Sequence, residues 1–302
     1  MTRLISCTLI LFLVTTSVIA ASDKRKSEVV APPPVGLEKK STDELIVMLR
    51  NERDSWRSAA AQELGKRKSP AAIEPLHSLL KDDLPFIRVD AAEALLELGD
   101  ESGIPVLKEV LTIGTPATAL RAAAVLAKHG DDAGLSLAKS QLSSQYFTNR
   151  MRALDALNSS NNEETAYAAL QIGLQDSEHQ VRMRAIYLLG KRGTARSLRM
   201  IEPFLSSPDY SERAMALDAV VETRLWDGVP FLLNALADSE PAMRYKAATW
   251  LNLYTGQNRP TTPTLRAETA PDVERQWREW WEANKSNCPF GTKASIKLTG
   301  GK

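Results

Sequence analysis

Cysteine and histidine are too scarce in this sequence to build a disulfide framework or an ordinary metal site. The 302 residues include two cysteines, Cys7 and Cys288, and three histidines, His77, His129 and His179. We expect Cys7 to be removed with an export signal, and an exported chain with one remaining cysteine forms no internal disulfide. No histidine has another histidine or a cysteine at the spacing of metal ligands. We therefore expect no metal ion and no cofactor.

The sequence also lacks an excess of charge of either sign. It has 38 Lys and Arg residues against 37 Asp and Glu residues, which gives a net charge of +1. A protein that holds nucleic acid through bulk charge usually has a strongly basic domain. The balance therefore excludes a strongly basic groove, and we expect no nucleic-acid partner.

The N-terminus is typical of an exported protein. An apolar segment follows Arg3 and extends from residue 4 to residue 20, where small residues begin. This pattern predicts a secretory signal over residues 1–21, cleaved after Ala20 or Ala21, and a periplasmic or secreted chain with no membrane span. The alternative is an uncleaved helix that anchors the protein to a membrane. Residues 22–40 contain three consecutive prolines and predict a disordered linker.

A 31-residue repeat fills the region from residue 41 to residue 256. Seven anchor positions recur at intervals of 31 or 32 residues: Arg57, Arg88, Ala119, Arg150, Arg182, Arg213 and Arg244. Alanine follows each anchor by three residues, at Ala60, Ala91, Ala122, Ala153, Ala185, Ala216 and Ala247. With Leu or Val seven residues after each anchor, these positions form one face of a helix. Alanine fits there because packed helix axes approach to about 8–10 Å.

A second helix follows in each repeat, since apolar residues recur 16, 19 and 23 residues after most anchors. The pattern extends back to a half-repeat capped by Ser41, so we expect about fourteen repeat helices up to Tyr254. Paired helices that bury their apolar faces only against neighbouring pairs form a solenoid. The predicted fold is all-α, a right-handed α-solenoid or superhelix of about seven helix pairs.

Residues 82–99 and 176–190 carry a family resemblance. Each has an acid six residues before an arginine, then alanine three residues and leucine seven residues after it, and then glycine. This pattern resembles the short HEAT-like repeat of the phycobilisome-lyase type. The resemblance covers residues 41–256 and implies that the second helices line a concave face. It leaves the function open, because such repeats occur in lyases, hydroxylases and binding proteins.

The C-terminal part contains a tryptophan-rich helix. Trp277, Trp280 and Trp281 fall on one face of a predicted helix from about residue 271 to Asn284. We interpret residues 257–284 as a capping segment in which these rings, with Trp250, Leu253 and Tyr254, cover the last repeat. The alternative is an aromatic platform for sugar or peptide. Residues 285–302 contain four lysines and no acidic residue, and predict a flexible basic tail.

The anchor arginines have two interpretations. We expect each one to pair with the acid at the start of its own helix: Arg88 with Asp82, Arg182 with Asp176, and Arg244 with Asp238. The acid would also cap that helix, with proline in the first turn at Pro85 and Pro241. The alternative is an arginine ladder that binds an extended acidic partner.

No motif of a catalytic site is present. The sequence has no phosphate-binding glycine loop, no nucleophile elbow and no Cys-His pairing of a thiol enzyme. HEAT-like hydroxylases that bind iron use His-Glu dipeptides, and here the residues after the three histidines are Ser78, Gly130 and Gln180. Neighbouring carboxylates such as Asp131 and Asp132 suit helix caps. We therefore expect no catalytic residues.

The outward side of the second helices gives the candidate partner-binding residues. They are His77, Lys108, Lys139, Tyr167, Gln171, Arg199, Glu202 and Asn234. We expect a non-enzymatic scaffold or adaptor of the cell envelope that binds a protein or peptide partner on its concave face. Two alternatives are a chromophore attachment factor similar to phycobilisome lyases and an envelope polysaccharide or peptide binder that uses the C-terminal aromatic residues.

Overall fold

The computed structural model describes residues 35–257, 259 and 270–286. The predicted signal, most of the predicted linker and the tail beyond residue 286 lie outside these residues. In the described part the chain forms fifteen α-helices, short 3-10 helices and no strand. The predicted all-α fold is confirmed. None of these helices has both the length and the apolar character needed to cross a membrane.

The chain divides into two compact units, with the boundary between Gly114 and Thr115. The helices of the N-terminal unit are α1 (Thr42–Met48), α2 (Asp54–Arg67), α3 (Ile73–Leu79), α4 (Pro85–Glu97) and α5 (Ile104–Ile113). Those of the C-terminal unit are α6 (Pro116–Lys128), α7 (Asp132–Gln141), α8 (Phe147–Asn158), α9 (Glu163–Leu174), α10 (His179–Arg192), α11 (Ala195–Ile201), α12 (Tyr210–Thr223), α13 (Val229–Ala235), α14 (Pro241–Thr255) and α15 (Ala270–Asn284).

The first fourteen helices confirm the predicted repeat. The even-numbered helices from α2 to α14 carry the anchor positions, and the odd-numbered helices from α1 to α13 are the second helices. The half-repeat α1 begins with a capping box, because the Ser41 hydroxyl accepts from the Glu44 amide at 3.2 Å and the Ser41 amide donates to the Glu44 carboxylate at 2.8 Å.

Successive first helices pack directly on one another within each unit. In the N-terminal unit α2 packs on α4, and in the C-terminal unit α6, α8, α10 and α12 pack in that order. All seven repeat alanines are fully buried. At Gly190 in α10 the approach is so close that an added Cβ would lie 2.8 Å from the Ala219 Cα atom in α12. Small residues at these positions therefore set the distance between the repeats.

The core follows the stack of repeats and has no single centre. In the N-terminal unit, Leu64 and Leu95 of neighbouring first helices lie in one buried cluster. In the C-terminal unit one cluster contains Leu154 and Ile186, and another contains Leu232 and Leu251. Each repeat thus depends on its neighbours for burial.

The acid caps predicted for α4 and α14 are wrong in their position, whereas Asp131 does cap α7. The N-cap residues of α4 and α14 are Leu84 and Glu240, and neither side chain caps its helix. Asp82 lies two residues earlier and accepts from the Leu84 amide at 3.0 Å. Asp238 accepts from the Glu240 amide at 2.8 Å in the same way. Both acids therefore shape the turn before the helix, as aspartate does in Asx turns.

The tryptophan-rich helix α15 packs against the last repeats of the C-terminal unit. Trp277 is 1% exposed and lies in one cluster with Leu251 and Tyr254. Trp280 and Trp281 are partly buried against the same cluster. Leu253, which was expected to join this seal, is 42% exposed because it lies on the outer side of α14.

Replacing Ala185 with leucine is expected to destabilise the C-terminal unit by about 1–3 kcal/mol through overpacking. The Ala185 side chain is fully buried among the packed helices α8, α9 and α10. Urea unfolding followed by far-UV circular dichroism measures the change. The control is Ala133→Leu, at an exposed position of α7, which should leave stability nearly unchanged. Equal stability of the two variants would contradict the stacking role of Ala185.

Candidate functional site

Four of the anchor arginines link their own repeat to the next one. Arg150 in α8 donates from Nη1 to the Ser144 carbonyl oxygen, in the turn before its own helix, at 2.8 Å. Its Nε and Nη2 atoms donate to the two Asp176 carboxylate oxygens, each at 2.7 Å. Asp176 belongs to the turn of the following repeat. One guanidinium therefore joins two successive turns with bidentate geometry.

The same link recurs along both units. Arg57 bonds Asp82 at 2.8 Å in the N-terminal unit, and Arg213 bonds Asp238 at 2.9 Å in the C-terminal unit. Arg182 uses Glu212 at 2.7 Å. We call these four pairs the arginine links. In the N-terminal unit Arg88 contacts Glu109 at 3.2 Å instead, since Ile113 occupies the position where the next acid would stand.

The predicted pairing within a repeat is therefore wrong. Asp82, Asp176 and Asp238 all bond the arginine of the preceding repeat. Arg182 and Arg244 reach their own turns through main-chain oxygens, those of Asp176 at 2.9 Å and Asp238 at 2.7 Å. The physical reason is that a guanidinium has two donor edges, so one edge can satisfy carbonyl groups while the other takes a carboxylate.

The alternative interpretation assigned the anchor arginines to an acidic partner protein. In the arginine links their guanidinium groups are instead bound within the protein. The Arg150 and Arg213 side chains are each 12% exposed, and both are fully engaged by their own turn and the next acid. The Asp176 hydrogen bond raises the pKa of Arg150, and the Asp238 hydrogen bond raises the pKa of Arg213. The arrangement supports a structural role.

The acids of the links are held in the charged form. The Arg150 guanidinium lowers the pKa of Asp176 below its ordinary value, although burial opposes this. Burial acts to raise the pKa of Glu212, but hydrogen bonds from Ser207 and Arg182 outweigh it and the net shift is downward. Folding therefore favours the carboxylate at both positions.

Acid is expected to weaken the link between Arg150 and Asp176. The folded-state pKa of Asp176 lies below the ordinary value of 3.8, so its stabilising contribution is complete above about pH 5 and disappears as the pH falls through the folded-state pKa. Urea unfolding from about pH 6 to pH 3 measures this loss. Asp176→Asn, which cannot titrate, should lose less stability over the same range. An equal loss in both proteins would assign the acid effect to other groups.

The second helices α7, α9 and α11 of the C-terminal unit form two adjacent open grooves. The α7–α9 groove has a volume of about 570 Å³ and contains Lys139, Leu142, Ala168 and Ile172 among its lining residues. The α9–α11 groove has a volume of about 370 Å³. Its lining includes Gln171, Arg199, Met200 and Phe204. We call the exposed side of these three helices the second-helix face.

Three predicted site residues line these grooves. Lys139 lines the α7–α9 groove, and Gln171 and Arg199 line the α9–α11 groove. All three side chains are exposed. Glu202 is exposed just after α11 but does not line either groove. The structure therefore brings part of the predicted set onto one continuous face.

The charges on the second-helix face are only partly compensated. Arg196 of α11 donates to the Glu164 carboxylate of α9 at 2.5 and 3.1 Å. This pairing lowers the pKa of Glu164 and raises that of Arg196. Lys139 and Arg199 form no ion pair with any described residue. The face thus presents two cations that are open to a binding partner.

Tyr167 does not belong to this exposed surface. Its side chain is 1% exposed, and its hydroxyl bonds the Thr194 and Ser197 hydroxyls before and within α11. The Arg192 and Arg196 guanidiniums lie 4.8 and 4.2 Å from its ring centroid. The prediction of an outward Tyr167 is wrong, because the phenol finds its polar partners inside the stack.

The other predicted residues have contacts within their own units. In the N-terminal unit His77 Nε2 lies 2.8 Å from the Asp100 carboxylate, and Lys108 is exposed on α5. Hydrogen bonds from Ser102, and then from His77, lower the pKa of Asp100 to about 2. In the C-terminal unit the Asn234 side chain accepts from Arg278 of α15 at 3.0 Å. Asn234 thus helps to hold the final helix.

Ile172 lies on the second-helix face and is not among the predicted site residues. It is 50% exposed, although isoleucine is usually buried. The signal available in the sequence was an apolar residue beside Gln171 on the polar side of α9. We found no group of His, Cys, Asp and Glu side chains suited to a metal ion among the described residues.

The tryptophan rings do not form a flat platform. The Trp277 and Trp280 ring planes meet at 82°, with centroids 5.8 Å apart, and Trp226 meets Trp281 at 46° and 5.2 Å. Trp226 also donates from Nε1 to the Lys285 carbonyl oxygen at 3.1 Å. These rings pack on one another at the end of the stack, which favours the cap over a sugar-binding surface.

Comparison with known proteins identifies the repeat. The family model for HEAT repeats matches residues 42–128. The chain therefore has HEAT repeats over residues 42–128. Its helices continue at the same period beyond these residues, up to α14. A search of curated protein sequences finds no match.

Several solved structures are similar to this chain. The complex of CpcE and CpcF of phycocyanin lyase from Nostoc sp. PCC7120 is 21% identical, with 80% of this chain and 97% of that chain covered and a TM-score of 0.44. Human deoxyhypusine hydroxylase in complex with glycerol is 20% identical, with 71% and 84% covered and a TM-score of 0.36. An engineered protein is 19% identical, with 63% and 98% covered and a TM-score of 0.37.

Proposed function

We propose that this HEAT-like repeat protein is a non-enzymatic scaffold that binds a partner protein through the second-helix face. The observation that carries the proposal is the pair of adjacent open grooves on α7, α9 and α11. Ile172 is 50% exposed at one groove, although a soluble protein usually covers such a side chain. Grooves lined by apolar side chains with a few polar groups are typical of binding sites.

The distribution of polar side chains supports binding rather than catalysis. The charged groups nearest the grooves are Lys139, Arg199 and the Glu164–Arg196 pair. No histidine lines either groove, and the described part shows no nucleophile paired with a base there. The lining can orient and desolvate a ligand.

The proposed place of action is the bacterial cell envelope. The support is the N-terminal segment, where Arg3, an apolar run and small residues form an export pattern. Fractionation of cells that express the full chain, or a chain without residues 1–21, tests this part. Export of both forms, or retention of both in the cytoplasm, would contradict it.

Site-specific photo-crosslinking tests the scaffold function. A photoreactive residue replaces Ile172 on the second-helix face in one variant and exposed Arg152 on α8 in a matched control. We expect one defined protein to be crosslinked in cells from position 172, and not from position 152. The added substitution Ala168→Glu should abolish that product, because it places a charge in the groove. The same crosslinked products from positions 172 and 152, or co-purification of a tetrapyrrole or glycan, would contradict the proposal.

A further inference from the structure

The second-helix face also specifies the chemistry of its occupant, and this inference rests on the proposed function. Two apolar openings lie side by side, with α9 between them. One contains Leu142 and Ile172, and the other contains Met200 and Phe204. Each opening offers contact to an apolar side chain of the occupant.

Each opening is lined by a cation that belongs to its outer helix, α7 or α11, and not to α9. Lys139 projects from α7 at one side, and Arg199 projects from α11 at the other. Both side chains are exposed and have no partner among the described residues. This differs from Lys191, Lys246 and Arg184 of the C-terminal unit, which each pair with an acid of a neighbouring first helix. The unpaired cations are complementary to carboxylates on an incoming segment.

The end of the face near the start of α9 is already occupied. Arg196 crosses from α11 to Glu164 on α9, and the two side chains neutralise each other there. An occupant that crosses the three helices therefore meets Ile172 and Gln171, which lie near the other end of α9. This restricts the path to a line that passes Lys139, Ile172 and Arg199.

The repeat spacing sets the spacing of the ligand groups. First helices of neighbouring repeats pack about 8–10 Å apart, and an extended segment in the polyproline II conformation advances about 3.1 Å per residue and returns to the same side every third residue. One repeat thus corresponds to about three residues of such a segment, and the two repeats from α7 to α11 correspond to about five or six. A segment can therefore place apolar side chains in both openings and carboxylates at both cations.

We propose that the second-helix face binds an extended acidic segment of another protein. In this segment two apolar side chains are separated by two residues and are flanked on each side by Asp or Glu. The apolar side chains enter the α7–α9 and α9–α11 grooves, and the flanking carboxylates pair with Lys139 and Arg199. Such pairs would also make binding sensitive to salt.

Selection from a random peptide library displayed on phage tests this proposal with the full mature chain as bait. Counter-selection uses Ile172→Asp, which removes peptides that bind elsewhere. We expect the enriched peptides to carry Asp or Glu on both sides of Leu, Ile, Val or Phe pairs at the stated spacing. A leading peptide is then synthesised with a fluorescent label, and its Kd is measured by fluorescence anisotropy.

Charge reversal gives the decisive comparison. The double variant Lys139→Glu/Arg199→Glu should weaken binding by at least about tenfold, since two attractions become repulsions. The matched control Lys81→Glu/Arg152→Glu changes the net charge equally at exposed positions that do not line either groove, and it should bind as the unchanged protein does. Far-UV circular dichroism of all variants verifies that they are folded.

The outcomes separate this inference from the scaffold function. Acidic peptides that depend on Ile172 and on both cations support it. Selection of basic or neutral peptides whose binding depends on Ile172 would contradict the proposed acidic segment, but it would agree with the proposed binding role of the second-helix face. Absence of any Ile172-dependent peptide would overturn the inference, and the crosslinking at position 172 would then decide the scaffold function by itself.

Discussion

Replacing Trp277 with alanine is expected to lower the free energy of unfolding of the C-terminal unit by about 3–5 kcal/mol. Trp277 is 1% exposed, and its ring lies among Leu251, Tyr254 and other buried side chains of α13 and α14. Truncation leaves a cavity against the last repeat, because helix backbones cannot close a gap of that size. Urea unfolding followed by far-UV circular dichroism provides the measurement.

Two further variants define the role of the ring. Trp277→Phe should cost less, since it keeps an aromatic ring and removes an Nε1 group that has no hydrogen-bond partner among the described residues. Trp281→Ala removes a partly buried ring and should also cost less than Trp277→Ala. A Trp277→Ala protein with an unchanged unfolding curve would show that α15 does not cap the stack.

Replacing Arg150 with methionine is expected to destabilise the C-terminal unit by about 2–4 kcal/mol. The change leaves the Asp176 carboxylate, which is 8% exposed, without its bidentate partner. It also removes the donor to the Ser144 carbonyl oxygen. The expected loss exceeds that of a surface ion pair, which contributes about 0–1 kcal/mol, because both groups are largely withdrawn from water.

Two comparisons test whether the loss comes from the link between repeats. Arg152→Met, at an exposed position two residues further along α8, should change stability by less than about 0.5 kcal/mol. The double variant Arg150→Met/Asp176→Leu should recover part of the loss, since no carboxylate is then left unpaired. If Arg152→Met were as harmful as Arg150→Met, the effect would not belong to the arginine link.

The fold was predictable because it repeats. Alanine seven times in seven at one helical position is a packing constraint that a single sequence can display, and the buried Ala60 and Ala185 satisfy it. The period also located the half-repeat at Ser41. These inferences depend on distances along one helix or between adjacent repeats, which the sequence encodes directly.

The candidate site was less predictable because it depends on which way a side chain turns. Arg182 has an acid in its own turn and another in the next, and the sequence does not distinguish them. Tyr167 and Gln171 are four residues apart on α9, yet Tyr167 is buried and Gln171 is exposed. The groove beside Ile172 lies between α7 and α9, so its lining residues come from two successive repeats.

The arginine links preserve an interaction rather than a residue position. In three turns the acid stands six residues before the next arginine, at Asp82, Asp176 and Asp238, and the residue just before that arginine is the buried Ile87, Val181 or Met243. Before Arg213 the roles are exchanged.

There Ser207 occupies the position six residues before the arginine, and Glu212 occupies the position next to it. The Ser207 hydroxyl donates to Glu212 at 2.7 Å, and Arg182 donates to the same carboxylate. The residues six positions and one position before the arginine therefore change together within a single chain. A consensus repeat that takes a residue at each position independently could combine serine at the first position with an apolar residue at the second. Such a repeat would lose the arginine link, although each of its residues occurs in the natural repeats.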